Sequence, residues 1–234
     1  AVDQARAAGS GTVLIERFID GDQLTVEGFL SDGRLAAVMV TDRLVPKHGV
    51  VATCGHRVPA CLDQAARQTV EHAVVDVLLG LGVTNGPFDA DVIWDGQTAW
   101  LLEVTPRLGG NGLTTLWTVA GGVDIVEQAI RHALGRPHTI DATYAIQPAG
   151  IDILHLSQNG AAPWTSSAAQ TVGGLPGVAH VELDVSGGTP CRAFRSGRDR
   201  IGAVLATGGD RDEVDARLAR AHAYLGLSGT GSPT

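Results

Sequence analysis

The stretch 86-GPFDADVIWDGQTAWLLEVTPRLGGNG-112 reads as two strands around a turn, with chemistry packed at the end of the second. Side chains alternate faces along a strand, so Phe88, Ala90, Val92 and Trp94 oppose Asp89, Asp91 and Ile93, and Trp100, Leu102 and Val104 oppose Ala99, Leu101 and Glu103. A two-residue turn at Asp95-Gly96 sets the apolar face of one strand against the polar face of the other. A three-residue loop, Asp95-Gly96-Gln97, pairs Trp94 with Thr98 and gathers all seven apolar side chains on one face. Asp89 then lies opposite Glu103, with Asp91 diagonal to it, and Cβ atoms roughly 5 to 8 Å apart.

Like charges at that spacing repel unless a cation lies between them. Two readings follow: solvent-facing acids of an edge hairpin, or oxygen ligands of a divalent ion such as Mg2+ or Mn2+. Arg107, four residues beyond Glu103 and stiffened by Pro106, favours the second. A fixed guanidinium beside a metal–carboxylate cluster suits a transferring phosphoryl group.

Upstream, 12-TVLIERFI-19, 23-QLTVEGFL-30 and 34-RLAAVMVT-41 are β-rich runs separated by Asp-Gly turns. From Leu62 the apolar period becomes helical, through Ala66, Val70, Val74, Val77 and Leu81 to a stop at Gly82. Asp124 to Leu134 is a second helix, ended by Gly135 and Pro137. The stretch 46–61 reads as a loop. Beyond Pro137 come short strands, as in 150-GIDILHLS-157 and 178-VAHVELDV-185, then a charged helix from Asp210 to Leu225. The expected class is α+β, an antiparallel sheet with packed helices over residues 1–140, a smaller β-rich lobe over 141–227, and a tail, 228–234.

With 234 residues, 44% of them hydrophobic, the chain can bury a substantial core. A net charge of −8 and no Lys/Arg-rich run argue against nucleic acid or an anionic membrane surface as partner. Cys54, Cys61 and Cys191 have no metal-ligand spacing and are expected to be reduced thiols of a cytoplasmic protein. The histidines show no convergent spacing either. No apolar run has membrane-spanning length.

The residues resemble the ATP-grasp carboxylate–amine ligases, and within them the L-amino acid ligase type. That family's metal motif is an acid on one strand and Glu-x-Asn-x-Arg ending the next, which here reads Asp91 and then Glu103-Val104-Thr105-Pro106-Arg107. The segments 86-GPFDAD-91, 107-RLGGNG-112 and 199-DRIGAVLATGGDRDE-213 are similar to the family's strand entry, its Arg-x-Gly-Gly loop and its closing segment. The resemblance implies ATP and Mg2+, or Mn2+, as cofactors, with Asp91, Glu103 and Thr105 at the metal. Thr105 replaces the family's Asn and puts a second metal ion in doubt. Arg107 would stabilise an acylphosphate and the oxyanion formed on amine attack.

By the same resemblance Glu16, Arg17 and Ile19 in 13-VLIERFIDGDQLTVEGF-29 would meet the adenine edge, and Gln23 the ribose. His48, His56 and Arg57 lie where the family's substrate pocket runs, His56 and Arg57 as carboxylate binders with Gly109 and Gly110. Lys47 is the only lysine and stands after the hinge, so the family's phosphate lysines are absent from this stretch. The expected partners are ATP, amino acid substrates and an amino-terminal half of the ligase, in a monomer or homodimer. Peptide or amide formation through an acylphosphate is the implied activity. A non-catalytic nucleotide- or metabolite-binding module, or another ATP-grasp enzyme such as a carboxylase, are the alternatives.

Overall fold

The computed structural model of the chain describes residues 2–9, 12–46, 52–140 and 144–227. Lys47, His48 and the tail 228–234 lie outside the described residues. In chain order the helices are α1 (Val2–Ala8), α2 (Gln64–Gly80), α3 (Leu113–Gly121), α4 (Ile125–Ala133), α5 (Ala168–Gly173) and α6 (Arg211–Tyr224). The strands are β1 (Asp22–Ser31), β2 (Arg34–Leu44), β3 (Gly55–Val58), β4 (Gly86–Trp94), β5 (Ala99–Thr105), β6 (Ala149–Leu154), β7 (Gly160–Ala161), β8 (Val178–Leu183), β9 (Pro190–Cys191) and β10 (Gly202–Thr207).

Eight strands form one sheet in the order β5-β4-β1-β2-β3-β6-β10-β8, every pairing antiparallel, while β7 and β9 form a separate pair. The α+β class expected from the sequence holds. Strands from both expected regions share this sheet, because β3 pairs with β2 on one edge and β6 on the other.

Local chemistry explains the elements that position the site. Asp32 and Gly33 both take positive φ, 50° and 74°, as a tight turn between antiparallel strands requires, and this sets Ser31 against Arg34 in β1 and β2. The α2 helix starts at Asp63, whose side chain accepts the Ala66 N–H. It buries Val70, Val74 and Leu78, one per turn, against Leu24, Val26, Leu30, Phe88, Ala90 and Val92 on the back of the sheet. Full burial of each such side chain is worth about 1.5–3 kcal/mol. On the front, α3 and α4 cover Phe29, Ala37, Met39, Val58 and Ile151, with Trp117 fully buried among them. The helices α5 and α6 enclose a third cluster around Leu154, Val204, Val214 and Leu218.

Three expectations are corrected. Residues 12–19 join no sheet among the described residues: Leu14, Ile15 and Phe18 are exposed, because no neighbouring strand supplies the hydrogen bonds that a β-rich segment needs. The 46–61 stretch is not loop throughout, since β3 within it is a fully buried central strand.

The hairpin register also differs. Trp94 pairs with Ala99 across a four-residue loop, and a bulge beside Val92 leaves Leu102 without a partner before Asp91 meets Glu103. That extra residue reverses the alternation. Ala99, Leu101 and Val104 pack toward the α2 core, whereas Leu102 is exposed and Trp100 pairs with Ile93 on the other face.

Candidate active site

The front face of β4, β1, β2 and β3 carries polar side chains at alternate positions: Asp89 and Asp91, Thr25 and Glu27, Thr41 and Arg43, and His56. All of these except the fully buried Glu27 and Thr41 bound a cleft of about 300 Å3 with Glu103 and the turn after β5. Its lining includes Thr25, Arg43, His56, Asp89, Asp91, Glu103 and Arg107. Asp91 stands directly opposite Glu103, and Asp89 opposite Thr105. The register correction thus brings the two acids of the motif closer than the sequence reading placed them.

Asp91 and Asp89 are held by neighbours. Thr25 Oγ1 donates to Asp91 Oδ1 at 3.0 Å, and Arg43 Nη1 lies 3.9 Å from Asp91 Oδ2. Arg107 Nη1 is 3.7 Å from Asp89 Oδ2 and donates to the Leu108 carbonyl at 2.8 Å. Thr105 Oγ1 donates to the Asp89 carbonyl at 3.3 Å, leaving its lone pairs open. Burial, and then the charge of Asp91, push Asp89 up to about 6. Its Oδ1 is buried without a hydrogen-bond partner.

Among the described residues no three His, Cys, Asp or Glu side chains converge into a ready-made metal cage. Magnesium commonly takes only one or two carboxylates from a protein and completes its shell with phosphate oxygens and water. Paired Asp91 and Glu103, with the orphaned Asp89 Oδ1 alongside, are hard oxygen donors that fit such an ion.

Opposite the acids, His56 is 2% exposed. Burial, aided by the positive charges of Arg43 and Arg57, lowers it to about 3, so the imidazole is neutral at working pH. Thr41 Oγ1 donates to the Thr25 carbonyl at 3.4 Å and stands 3.0 Å from His56 Nδ1. Nε2 is buried with no partner, and His56 lines the cleft.

Arg57 does not join His56, and its expected substrate role is corrected. Adjacent strand residues point to opposite faces. On the back of the sheet Arg57 donates to Asp152 Oδ1 at 2.7 Å and Asp215 Oδ1 at 2.5 Å, and His222 Nε2 is 3.1 Å from Asp152 Oδ2. Burial opposes ionisation of Asp152, but Arg57 and His222 together outweigh it and hold the carboxyl below its usual range. Arg57 is a structural cation under α6.

The turn 107–112 rests on the residue that the sequence reading missed. Glu27 on β1 is fully buried, and its Oε1 accepts the Gly109 N–H at 2.6 Å. That bond removes Gly109 from the expected substrate contacts; Gly110 still lines the cleft. Burial is the largest influence on Glu27 and pushes it up to about 7, against the Gly109 N–H, which favours the ionised form. A glutamate at the third alternate position of the β-rich run 23–30 was the available signal.

The expected nucleotide contacts are dispersed. Glu16 is exposed, Ile19 is half-buried, and the Arg17 guanidinium stacks 4.7 Å from the centre of the Trp100 ring. Gln23 Oε1 accepts from Arg43 Nη1 at 2.9 Å and lines an adjoining cleft that shares Arg43.

This combination of sheet, acidic strand pair and glycine turn is that of a known protein class. Two family models match in tandem, the ATP-grasp domain over residues 3–115 and L-amino acid ligase C-terminal domain 2 over residues 167–227. The chain belongs to the ATP-grasp superfamily. Within it the similarity is to the L-amino acid ligase type. The crystal structure of L-amino acid ligase from Bacillus licheniformis superposes with a TM-score of 0.77 at 19% identity, over 88% of this chain and 54% of that one. In sequence, the chain is 28% identical over 212 residues to the uncharacterized protein y4rH of Sinorhizobium fredii, covering 91% of this chain and 43% of y4rH. It is 29% identical over 130 residues to human carnosine synthase 1, covering 54% of this chain and 15% of that enzyme. The chain therefore spans less than half the length of these curated relatives. No described helix is long and apolar enough to cross a membrane.

Proposed function

We propose that this chain forms the metal-facing part of an ATP-dependent carboxylate–amine ligase that joins amino acids through an acylphosphate. The observation that carries the reading is the Asp91–Glu103 pair, set on one face of one cleft with Arg107 beside it. A substrate carboxylate oxygen attacks the γ-phosphorus of ATP and ADP leaves; an amine nitrogen then attacks the acyl carbon, and phosphate departs with loss of an amine proton.

Asp91 and Glu103, with Thr105 and Asp89 alongside, would hold Mg2+ or Mn2+, which when bound supplies charge neutralisation and alignment of the phosphates. Arg107 is placed to stabilise the acylphosphate and the oxyanion of the tetrahedral intermediate. Arg43, across the cleft, adds a second positive charge at the phosphoryl end. Glu16, Arg17, Ile19 and Gln23 remain the proposed nucleotide contacts.

His56 takes a different role from carboxylate binding. A neutral ring offers no charge to a carboxylate, so we assign the unpartnered Nε2, in its unprotonated tautomer, to orient the attacking amine. Its depressed basicity suits orientation rather than storage of the proton.

The test is ADP release by the complete protein that carries this chain, with ATP, Mg2+ and pairs of amino acids, and mass spectrometry of the product. Release that depends on an amino acid, with a dehydrated conjugate formed, supports the ligase. Nucleotide binding without turnover for any pair refutes it in favour of a binding module.

A further inference from the structure

Glu27 poses a question that metal and phosphate chemistry do not answer. It is a carboxylate with no exposed surface, on a strand buried on both sides, facing away from the apolar α2 core. Sequestering such a group costs several kcal/mol unless partners compensate. One compensating partner is evident: the Gly109 N–H, at 2.6 Å and 82 residues away in sequence. Oε2 has no hydrogen-bond partner. The Trp117 indole nitrogen is buried and unpaired as well, although it lies near enough to Glu27 to favour its ionised form.

The turn that Glu27 grips is closed by the Leu113 N–H, which donates to the Gly110 carbonyl at 3.0 Å, and Leu108 packs on the front core. Asn111 and Gly112 take positive φ, 53° and 79°, and Gly109 packs so tightly that a Cβ there would lie 2.9 Å from Asp89 Oδ1 and 3.1 Å from Glu27 Oε1. At Gly109 the backbone of the turn thus lies against two carboxylates and the Leu113 side chain. Arg107 begins this turn, and Asn111 and Leu113, which line the cleft, follow it. The position of Gly109 therefore sets where the Arg107 guanidinium and the far cleft wall can sit.

We infer that Glu27 is a positioning residue, a buried acceptor that clamps the Gly109 N–H and thereby fixes the 107–112 turn with Arg107 beside Asp89. The clamp stands on the geometry alone; its consequence for turnover rests on the ligase reading above. What the clamp requires is an acceptor oxygen of the right reach, not a negative charge. Glutamine supplies that oxygen and leucine does not. Replacing a buried carboxylate by an apolar side chain of similar size is often neutral or stabilising, so loss of function in a leucine variant need not signal misfolding.

The experiment compares Glu27→Gln and Glu27→Leu with wild type by amide hydrogen exchange and melting temperature on this chain, and by kinetics on the complete protein. In the leucine variant the amides of 108–112 should exchange at least tenfold faster while the melting temperature is kept, and Glu27→Gln should restore protection. In a turnover-competent protein, kcat should fall tenfold or more for Glu27→Leu with little change in KM for ATP, and recover to within a few-fold in Glu27→Gln. Equal protection of 108–112 in wild type and Glu27→Leu overturns the clamp, as does equal loss in both variants. Altered exchange with unaltered kcat overturns the positioning role. Absence of turnover in wild type refutes the ligase reading instead, and the exchange data still judge the clamp.

Discussion

Asp91 and Glu103 face each other residue for residue across β4 and β5, and the unpaired Leu102 between Leu101 and Glu103 is what brings them into step. Without the bulge, core packing of Leu101 and cleft placement of Glu103 could not share one strand, because residues two apart fall on the same face.

Glu103→Gln keeps the shape and removes one charge from the proposed metal site. In the complete protein kcat is expected to drop about 100-fold or more, while the melting temperature stays within about 2 °C of wild type. Glu103 is exposed and faces a like charge, so its carboxylate contributes little to folding. Comparable losses of turnover and stability would make Glu103 a structural acid.

Adjacent leucines report the register. Leu102 is 56% exposed, whereas Leu101 packs on the α2 cluster. Leu102→Ser should change unfolding free energy by less than about 0.5 kcal/mol, and Leu101→Ala should cost about 1–3 kcal/mol for a partly buried leucine. Urea denaturation measures both, and the reverse order would restore the three-residue-loop register.

Arg57→Met removes the cation that Asp152 and Asp215 share. Stranding a buried Asp152 is expected to cost about 3–5 kcal/mol. Nucleotide affinity should be unaffected, because the network lies on the back of the sheet. A fall in substrate affinity without a fall in stability would return Arg57 to the cleft.

Glu27 makes stability depend on pH in a definite direction. Its pKa is about 4.3 in an unfolded chain and about 7 when buried. Below the first value both states hold the proton; between the two only the folded state does, so stability falls as pH rises and levels off above 7. His56, lowered to about 3, acts with opposite sign between 3 and about 6.5, so the wild-type curve alone is not diagnostic. Glu27→Gln isolates the effect: its stability relative to wild type should grow on the order of 3 kcal/mol between pH 4 and 7.5. Urea titrations across that range giving a constant difference would show that Glu27 titrates normally.

Much of this was legible in the chain. The Asp32-Gly33 turn, the α2 stripe, the Asp210 helix start and the acids of β4 are local patterns: periods of two or 3.6, and turn residues with particular dihedral preferences. The motif from Glu103 to Arg107 is equally local, and its resemblance to the ATP-grasp motif carries the metal reading. The sequence by itself thus determined that Asp89, Asp91 and Glu103 would stand on paired strands with Arg107 just beyond, but not the part of Glu27 or the strand that carries His56. Tertiary structure alone decided their company. Leu102 bulges because β5 must satisfy a core and a cleft at once; β3 turns His56 forward and Arg57 back because β6, nearly a hundred residues on, and α6 beyond it receive them; and Glu27 lies under Gly109 only once β1 and β4 have paired. Such contacts join residues far apart in the chain, and no local periodicity encodes which distant strand will be the neighbour.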